Sequence, residues 1–442
     1  MDVNMDSEQG ENNDKEKDEN VICSNMIEAQ DMNTDEMDTM KGDTVGDTVY
    51  SAKWIINTLL SLSKVNVTGW SNQLETDLCT LWDITAEKDI VAFLMNIDFI
   101  NITSLTLETS EESRLIEILV GIIGNMCCQE SAIEKIGNEK ELVTLILNLL
   151  STDDTEILIQ VLRFLQAAVW DIQKNSKSVW IDNLKQCEIL EQVLVFVLKS
   201  STNDDLLGTT ITLLHSITEI EFTNKTQFFK NFFNKNELIT ALIESFLQMI
   251  PKDETIHSEK SLKIIENWLG IVCNIMKMEV LEFDSSETDE RFLNIINILL
   301  NILYPYRHVN NLISIEENAA LSIYKCVDMA FQFQINGFTV DCKLNSTILN
   351  ILYSLKIAMN ESTGINDEQA ESIEIIKELH KYLENYCLKL LDICTDDEII
   401  KVLKISKEKI TKYFIQFIKI HEKTSEDNVK KLNAIENVLQ KN

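Results

Sequence analysis

The chain has 442 residues, a formal net charge of −33, two prolines and eleven glycines. The negative field repels nucleic-acid phosphates and anionic membrane surfaces, so we expect neither nucleic acid nor a membrane as partner. Strand-rich folds need many turns with special backbone angles, so the scarcity of Pro and Gly favours long helices. With 45% hydrophobic residues, the chain can still build a sizeable core.

Residues 1–45 are dominated by Asp, Glu, Asn and Met, and their basic residues are Lys15, Lys17 and Lys41. So acidic a composition, with almost no aromatic residues, buries too little surface to offset the entropy of ordering. We therefore predict a disordered acidic tail. Such a tail either attracts basic partners or simply keeps the chain soluble.

Residues 46–110 follow as predicted N-terminal capping helices. Tyr50 and Trp54 lie four residues apart, on one face of the first of these helices. Side chains at this spacing are neighbours on a helix surface and can pack as a pair.

One helical pattern of apolar side chains then recurs along the chain. Counted from its first residue, apolar side chains stand at positions 0, 1, 4, 5, 7, 8 and 11, which together form one wide helix face. The copies begin at Leu115, Ile157, Leu206, Ile264 and Ala319, and the third contains one threonine. Their intervals are 42, 49, 58 and 55 residues. Helices with so wide an apolar face bury it by stacking in layers.

The recurring pattern therefore predicts an all-α fold, an armadillo/HEAT-like right-handed α-solenoid with its repeats over residues 111–365. Residues 366–442 are a predicted C-terminal helical cap, rich in lysine. Tyr413, Phe414 and Phe417 lie among these lysines. We assign the three aromatic residues to the core of the cap, because nucleic-acid binding would need a basic surface.

No sequence motif for catalysis or metal binding is present. The ten cysteines form no C-x-x-C pair and have no partnering His-x₃₋₅-His. There is also no phosphate-binding glycine loop, HExxH or GxSxG. The sequence predicts no cofactor, no metal site and no catalytic residue, so the protein is not expected to be an enzyme. The alternative of a cryptic enzyme requires catalytic residues that come together from distant repeats.

The segment 111–172 resembles the armadillo repeat. Gly124-Asn125 stands where that family has an Asn near the end of its long third helix, and Gly137 stands at the family's turn glycine. In peptide-binding armadillo proteins the equivalent Asn hydrogen-bonds an extended peptide backbone. The resemblance makes Asn125 a candidate partner-binding residue, since an amide offers both a donor and an acceptor. The alternative is that Asn125 caps or bridges its own repeat.

Two tryptophans near this segment could either line the groove of such a repeat or pack between its helices. They are Trp170 and Trp180. We predict packing for both, since large aromatic rings dominate protein cores.

Five blocks in residues 46–210 resemble the serum amyloid A-like family: GDTVYSAKW, LWDITAEKDIVAFL, VGIIGNMCC, SVWIDNL and SSTNDDLL. The resemblance implies an intracellular, armadillo-like protein without known enzymatic activity, in a family linked to cell proliferation. The N-terminus shows no signal peptide, so we expect the nucleus, the cytoplasm or both.

The favoured function is that of a non-enzymatic scaffold or adaptor. Its concave solenoid surface would bind protein partners through a basic or extended segment. An importin-like carrier of basic cargo is the alternative. That function would require a regular ladder of Trp and Asn along the groove, and Asn125 is the one such Asn that the sequence predicts.

Overall fold

The computed structural model describes residues 43–224, 235–252, 255–278, 290–338, 341–361, 370–421 and 435–436. The predicted tail lies outside this range except for Asp43–Val45. These three residues fold back on the first helix, because the Ala52 N–H donates to the Asp43 carbonyl at 2.7 Å and Val45 is buried. Packed structure thus begins before the boundary predicted at residue 45.

Every regular element among the described residues is helical, apart from one isolated bridge between Thr44 and Ser51. The α-helices are α1 (Ala52–Leu62), α2 (Val65–Thr68), α3 (Asn72–Ile84), α4 (Lys88–Asn96), α5 (Phe99–Thr109), α6 (Ser113–Met126), α7 (Glu130–Asn138), α8 (Lys140–Asn148), α9 (Thr155–Lys174), α10 (Trp180–Gln186), α11 (Leu190–Ser200), α12 (Asp204–Asn224), α13 (Lys235–Met249), α14 (Glu259–Lys277), α15 (Glu290–Leu303), α16 (Asn310–Ile313), α17 (Glu317–Ile335), α18 (Cys342–Glu361), α19 (Ala370–Ile393), α20 (Asp396–Ile405) and α21 (Glu408–His421). Two short 3₁₀ turns, Leu149–Ser151 and Tyr304–Arg307, complete the set.

The helices stack in two rows. In row one, each helix packs on the next in the order α3, α6, α9, α12, α14, α17, α19. In row two, α5 packs on α8, and α11 packs on α13, which is followed by α15, α18 and α20. Helices of the two rows also pack on each other, as α11 does on α12 and α13 on α14. This layered, one-dimensional packing is that of an all-α solenoid, so the predicted fold class is confirmed.

The first layers have a period of three helices. Helix α4 packs on α7, α5 on α8, and α6 on α9, so the units are α4–α6 and α7–α9. The predicted border at 110/111 therefore falls inside a unit, between α5 and α6. The prediction placed the border there because the first copy of the apolar pattern lies on α6.

The recurring apolar face is the surface on which row one packs. In the copies on α6, α9, α12, α14 and α17, every pattern position is buried except Tyr324, which is partly buried. The threonine of the third copy, Thr210, is also fully buried, and its hydroxyl donates to the Leu206 carbonyl at 2.8 Å. A hydroxyl satisfied within its own helix can occupy an apolar layer at little cost.

Polar side chains begin several of these helices. Asp154 caps α9, the helix of the second copy, and accepts from the backbone N–H groups of Glu156 and Ile157. Ser51, Ser71 and Ser258 cap α1, α3 and α14 in the same way. Each such cap satisfies backbone donors that the helix leaves unpaired and contributes about 1 kcal/mol.

Gly137 lies inside α7 rather than in a turn. A Cβ at this position would stand 2.6 Å from Val179 Cγ1 and 2.9 Å from Trp180 Cε2. Trp180 is fully buried, and its indole N–H donates to the Ile133 carbonyl at 3.2 Å. Position 137 therefore does require glycine, but the reason is the close approach of α10. The helix itself ends at its C-cap residue, Glu139, two residues later.

Among the described helices, none is by itself long and apolar enough to cross a membrane. The pair α4 and α5 meets the length and composition criteria only when joined, and it bends by 77° at the break. Both helices contribute buried side chains to the core, among them Ile90, Leu94 and Phe99.

Candidate binding groove

A groove of about 610 Å³ crosses four successive helices of row one: α6, α9, α12 and α14. Apart from Ile264, the first residue of the fourth copy, its lining residues lie outside the apolar pattern. The lining residues are Gly121, Gly124, Asn125, Cys128, Glu156, Ile159, Gln160, Arg163, Gln166, Trp170, Asp204, Asp205, Gly208, Thr209, Thr212, Lys260, Lys263, Ile264 and Asn267. We call this surface the groove.

Glycine keeps the middle of the groove open. A Cβ at Gly208, on α12, would meet no atom within 4 Å. A Cβ at Gly124, on α6, would come no closer than 3.8 Å to the atoms of Phe164. Glycine inside a helix costs about 1 kcal/mol relative to alanine. Because a larger side chain would fit at position 208, packing does not explain why glycine stands there. The empty space above it is available to a bound chain.

Trp170 is the large aromatic side chain of the groove and is 46% exposed. One turn earlier on α9, Gln166 donates through Nε2 to the Ser216 hydroxyl at 2.7 Å. The Oε1 atom of Gln166 is buried without a hydrogen-bond partner. The predicted packing therefore holds for Trp180 and is wrong for Trp170, which offers a flat apolar surface to the groove.

The charges of the groove are balanced. Its lining includes the acids Glu156, Asp204 and Asp205 and the bases Arg163, Lys260 and Lys263. Lys260 Nζ lies 2.9 Å from Asp205 Oδ1 and so joins α14 to α12. The acids responsible for the net charge of −33 therefore lie mostly elsewhere. A basic partner segment remains a prediction from net charge, to which the groove lining adds nothing.

Asn125 lies at the edge of the groove and is partly buried. Its Nδ2 donates to the Trp82 carbonyl at 3.1 Å and to the Thr85 hydroxyl at 3.3 Å, so it bridges α6 to the preceding layer. Its Oδ1 has no hydrogen-bond partner among the described residues. The side chain thus has a structural contact and retains an acceptor for a ligand.

Sequence reasoning missed a second asparagine of this kind. Asn274 stands ten residues after Ile264, as Asn125 stands ten residues after Leu115. Its Nδ2 donates to the Thr218 hydroxyl of the preceding layer at 3.1 Å. The second and third copies have Ala167 and Ser216 at this position, so the asparagine does not recur in neighbouring copies. Applying the ten-residue offset to all five copies would have found Asn274.

We predict that Asn125→Ala and Asn274→Ala each lower the free energy of unfolding by about 1 kcal/mol, because each removes a hydrogen bond between layers. Urea unfolding followed by circular dichroism measures the change. Asn57→Ala is the control, since Asn57 is exposed on α1, and it should leave stability nearly unchanged. Unaltered stability in both asparagine variants would contradict the bridging role.

The described residues contain no group of three or more His, Cys, Asp or Glu side chains that could hold a metal ion. In the groove, partial burial raises the pKa of the Cys128 thiol, although the positive charge of Arg163 acts in the opposite direction. This thiol is therefore not activated as a nucleophile.

His and carboxylate side chains do meet in a smaller cavity of about 270 Å³ between α18, α19 and α21. His380 Nδ1 lies 3.6 Å from Glu384 Oε1, and His380 Nε2 lies 3.1 Å from the Tyr413 hydroxyl. The described lining of this cavity contains no Ser, Thr or Cys. The cluster satisfies one requirement of the cryptic-enzyme alternative but supplies no such nucleophile.

The fold and the groove together define the class of protein. It is an all-α helical repeat protein with an open groove across four consecutive long helices.

Similar proteins are found by sequence, although no known family profile matches the chain. Protein saal1 of Danio rerio is 31% identical over 179 residues, and Protein SAAL1 of Homo sapiens is 29% identical over 180 residues. SAAL1 denotes serum amyloid A-like 1, the family that the five blocks resemble. Each alignment covers 38% of this chain, and the chain spans 38% of the length of each relative.

Solved structures of repeat proteins superpose only loosely. The designed armadillo repeat protein YIII(Dq)4CqI has a TM-score of 0.32 at 12% identity and covers 73% of this chain and 98% of its own. The designed armadillo repeat protein YIII(Dq.V1)4CPAF, solved in complex with peptide (KR)4, gives the same values. The fold assignment rests on the packing of the two rows.

Proposed function

We propose that this protein is a non-enzymatic scaffold or adaptor whose groove binds an extended segment of a partner protein. The groove itself supports this most directly, because it crosses four helices and Gly208 leaves its middle empty. The Asn125 Oδ1 atom can accept from a peptide N–H, and Trp170 can hold one side chain. An elongated groove of this kind suits an extended chain better than a compact ligand.

The proposal extends to family and location. Membership of the serum amyloid A-like family is supported by the five sequence blocks and by relatives aligned over 38% of the chain. We place the protein in the nucleus, the cytoplasm or both, and infer that any effect on cell proliferation is exerted through the bound partner.

An importin-like carrier is the second candidate and has less support. The residues at the Asn125 position in five successive copies are Asn125, Ala167, Ser216, Asn274 and Met329. Two asparagines separated by two other residue types do not form a regular ladder. Both also donate to the preceding layer, which leaves fewer groups for cargo.

Affinity capture with two matched variants tests the proposal. Trp170→Ala removes the exposed ring from the groove, and Phe196→Ala removes an exposed ring from α11 in row two, where Phe196 is 69% exposed. We expect Trp170→Ala to recover about tenfold less, or less still, of the partners that the wild-type protein captures, because aromatic anchors dominate binding energy. Phe196→Ala should leave recovery unchanged. The reverse result would place the binding surface on row two.

A further inference from the structure

The first helix of the solenoid has an apolar face that no described residue covers. On α1, Ile55, Leu59 and Leu62 are buried against the following helices. On its other side Ile56 is 43% exposed and Leu60 is 51% exposed, four residues apart. Terminal helices of solenoids normally present a polar outer face to water. On α1, Ile56 and Leu60 instead form an exposed apolar pair that is open to a further segment.

Two lysines frame this pair. Lys53 stands on α1, three residues before Ile56, and Lys64 follows the C-terminal end of α1, four residues after Leu60; both are exposed. Neither forms an ion pair with another described residue. The stripe formed by Lys53, Ile56, Leu60 and Lys64 is apolar in the middle and positive at both ends. We call it the α1 face.

One short run within residues 1–42 has the complementary character. Ile22, Cys23, Met26, Ile27 and Ala29 stand at positions 0, 1, 4, 5 and 7 of the pattern that forms the packing face of row one. Acidic residues flank this run, with Asp18 and Glu19 before it and Glu28 and Asp31 within or after it. The run therefore combines apolar side chains with negative charges that are complementary to Lys53 and Lys64.

The run is also close enough to reach the α1 face. Asp43 is held at the start of α1, where its carboxylate accepts from the Ser51 hydroxyl and its carbonyl accepts from the Ala52 N–H. The residues that separate Ala29 from Asp43 can span about 45 Å when extended. Helix α1, with its 11 residues, is about 16 Å long. The linker therefore suffices to place the run anywhere along α1.

We propose that residues 21–29 of this chain bind the α1 face and cover the N-terminal end of the solenoid. Apolar contact with Ile56 and Leu60 gives the binding its affinity. Attraction between the flanking acids and Lys53 and Lys64 selects this segment. A second copy of the chain fits less well, because two α1 faces would bring like charges together.

Photo-crosslinking in the full-length chain tests the contact. A benzoylphenylalanine at position 27 should crosslink within the same chain to the tryptic fragment that contains Ile56 and Leu60. The same probe at position 5 is the matched control and should give at most a tenth of that yield. Mixing isotope-labelled and unlabelled protein separates crosslinks within a chain from those between chains. Crosslinks between chains, or equal yields from both positions, would overturn the proposal.

Hydrogen exchange provides a second measurement in the intact protein. The double variant Ile22→Asp/Ile27→Asp should speed amide exchange in α1 several-fold, because its outer face becomes open to water. Met5→Asp is the control and should not change exchange. The variant Lys53→Glu/Lys64→Glu should lower the crosslinking yield from position 27 several-fold. Unchanged exchange in the double variant would count against the proposal.

Discussion

Replacing Trp180 by alanine is expected to lower the free energy of unfolding by about 3–5 kcal/mol. The ring is fully buried and packs edge-on against Phe164, with the ring centroids 5.3 Å apart. Its indole N–H joins α10 to α7 through the Ile133 carbonyl. Alanine would leave a cavity between two layers and remove the hydrogen bond to the Ile133 carbonyl. Because repeat proteins are stabilised mainly by contacts between neighbouring units, the loss should spread to α7–α12.

Urea unfolding followed by tryptophan fluorescence and circular dichroism measures this effect. Trp170→Ala is the matched control, since it removes the same side chain from the open groove of the adjacent helix. That variant should change stability by less than about 0.5 kcal/mol. Similar losses in the two variants would mean that Trp170 is part of the core, contrary to its exposure.

Replacing Gly208 by leucine is expected to separate folding from binding. The new side chain enters open space, and leucine is a better helix former than glycine, so stability should stay the same or rise by up to about 1 kcal/mol. The same side chain would occupy the middle of the groove. We therefore expect partner binding to fall at least about tenfold, as it does when an interface centre is blocked.

The control for this variant is a glycine whose space is already filled. A Cβ at Gly270, on α14, would stand 2.2 Å from His215 Nε2. Gly270→Ala should therefore lower stability by about 1–3 kcal/mol, the range found for overpacking. Thermal unfolding gives the stability of both variants, and capture of wild-type partners gives the binding. Full binding by a well-folded Gly208→Leu protein would contradict the proposed role of the groove.

The burial of row one could be predicted because it depends on local periodicity. Seven apolar positions in twelve residues define one helix face, and that face is buried in all five copies of row one, with Tyr324 only partly so. The pattern also explains Trp170 in retrospect. It stands thirteen residues after Ile157, about three and a half helical turns, and therefore on the opposite side of α9. The prediction that it packs in the core followed the residue type and neglected the helix geometry.

The roles of Gly137 and Asn125 depend on neighbours distant in sequence. Gly137 is needed because Trp180, 43 residues later, lies against it. The Asn125 amide reaches back to Trp82, 43 residues earlier. The armadillo-like sequence pattern singles out both positions, but it does not show which distant segment of the chain packs against them.

The sequence by itself determined the all-helical class, the succession of layers and the face on which row one packs. These properties follow from the spacing of apolar side chains along single helices, which is visible without knowing any neighbour. The tertiary structure alone decided that α6, α9, α12 and α14 leave an open groove and that α1 is left with an exposed apolar face. Both depend on which helix stands beside which, and so on contacts between residues about 40–60 positions apart.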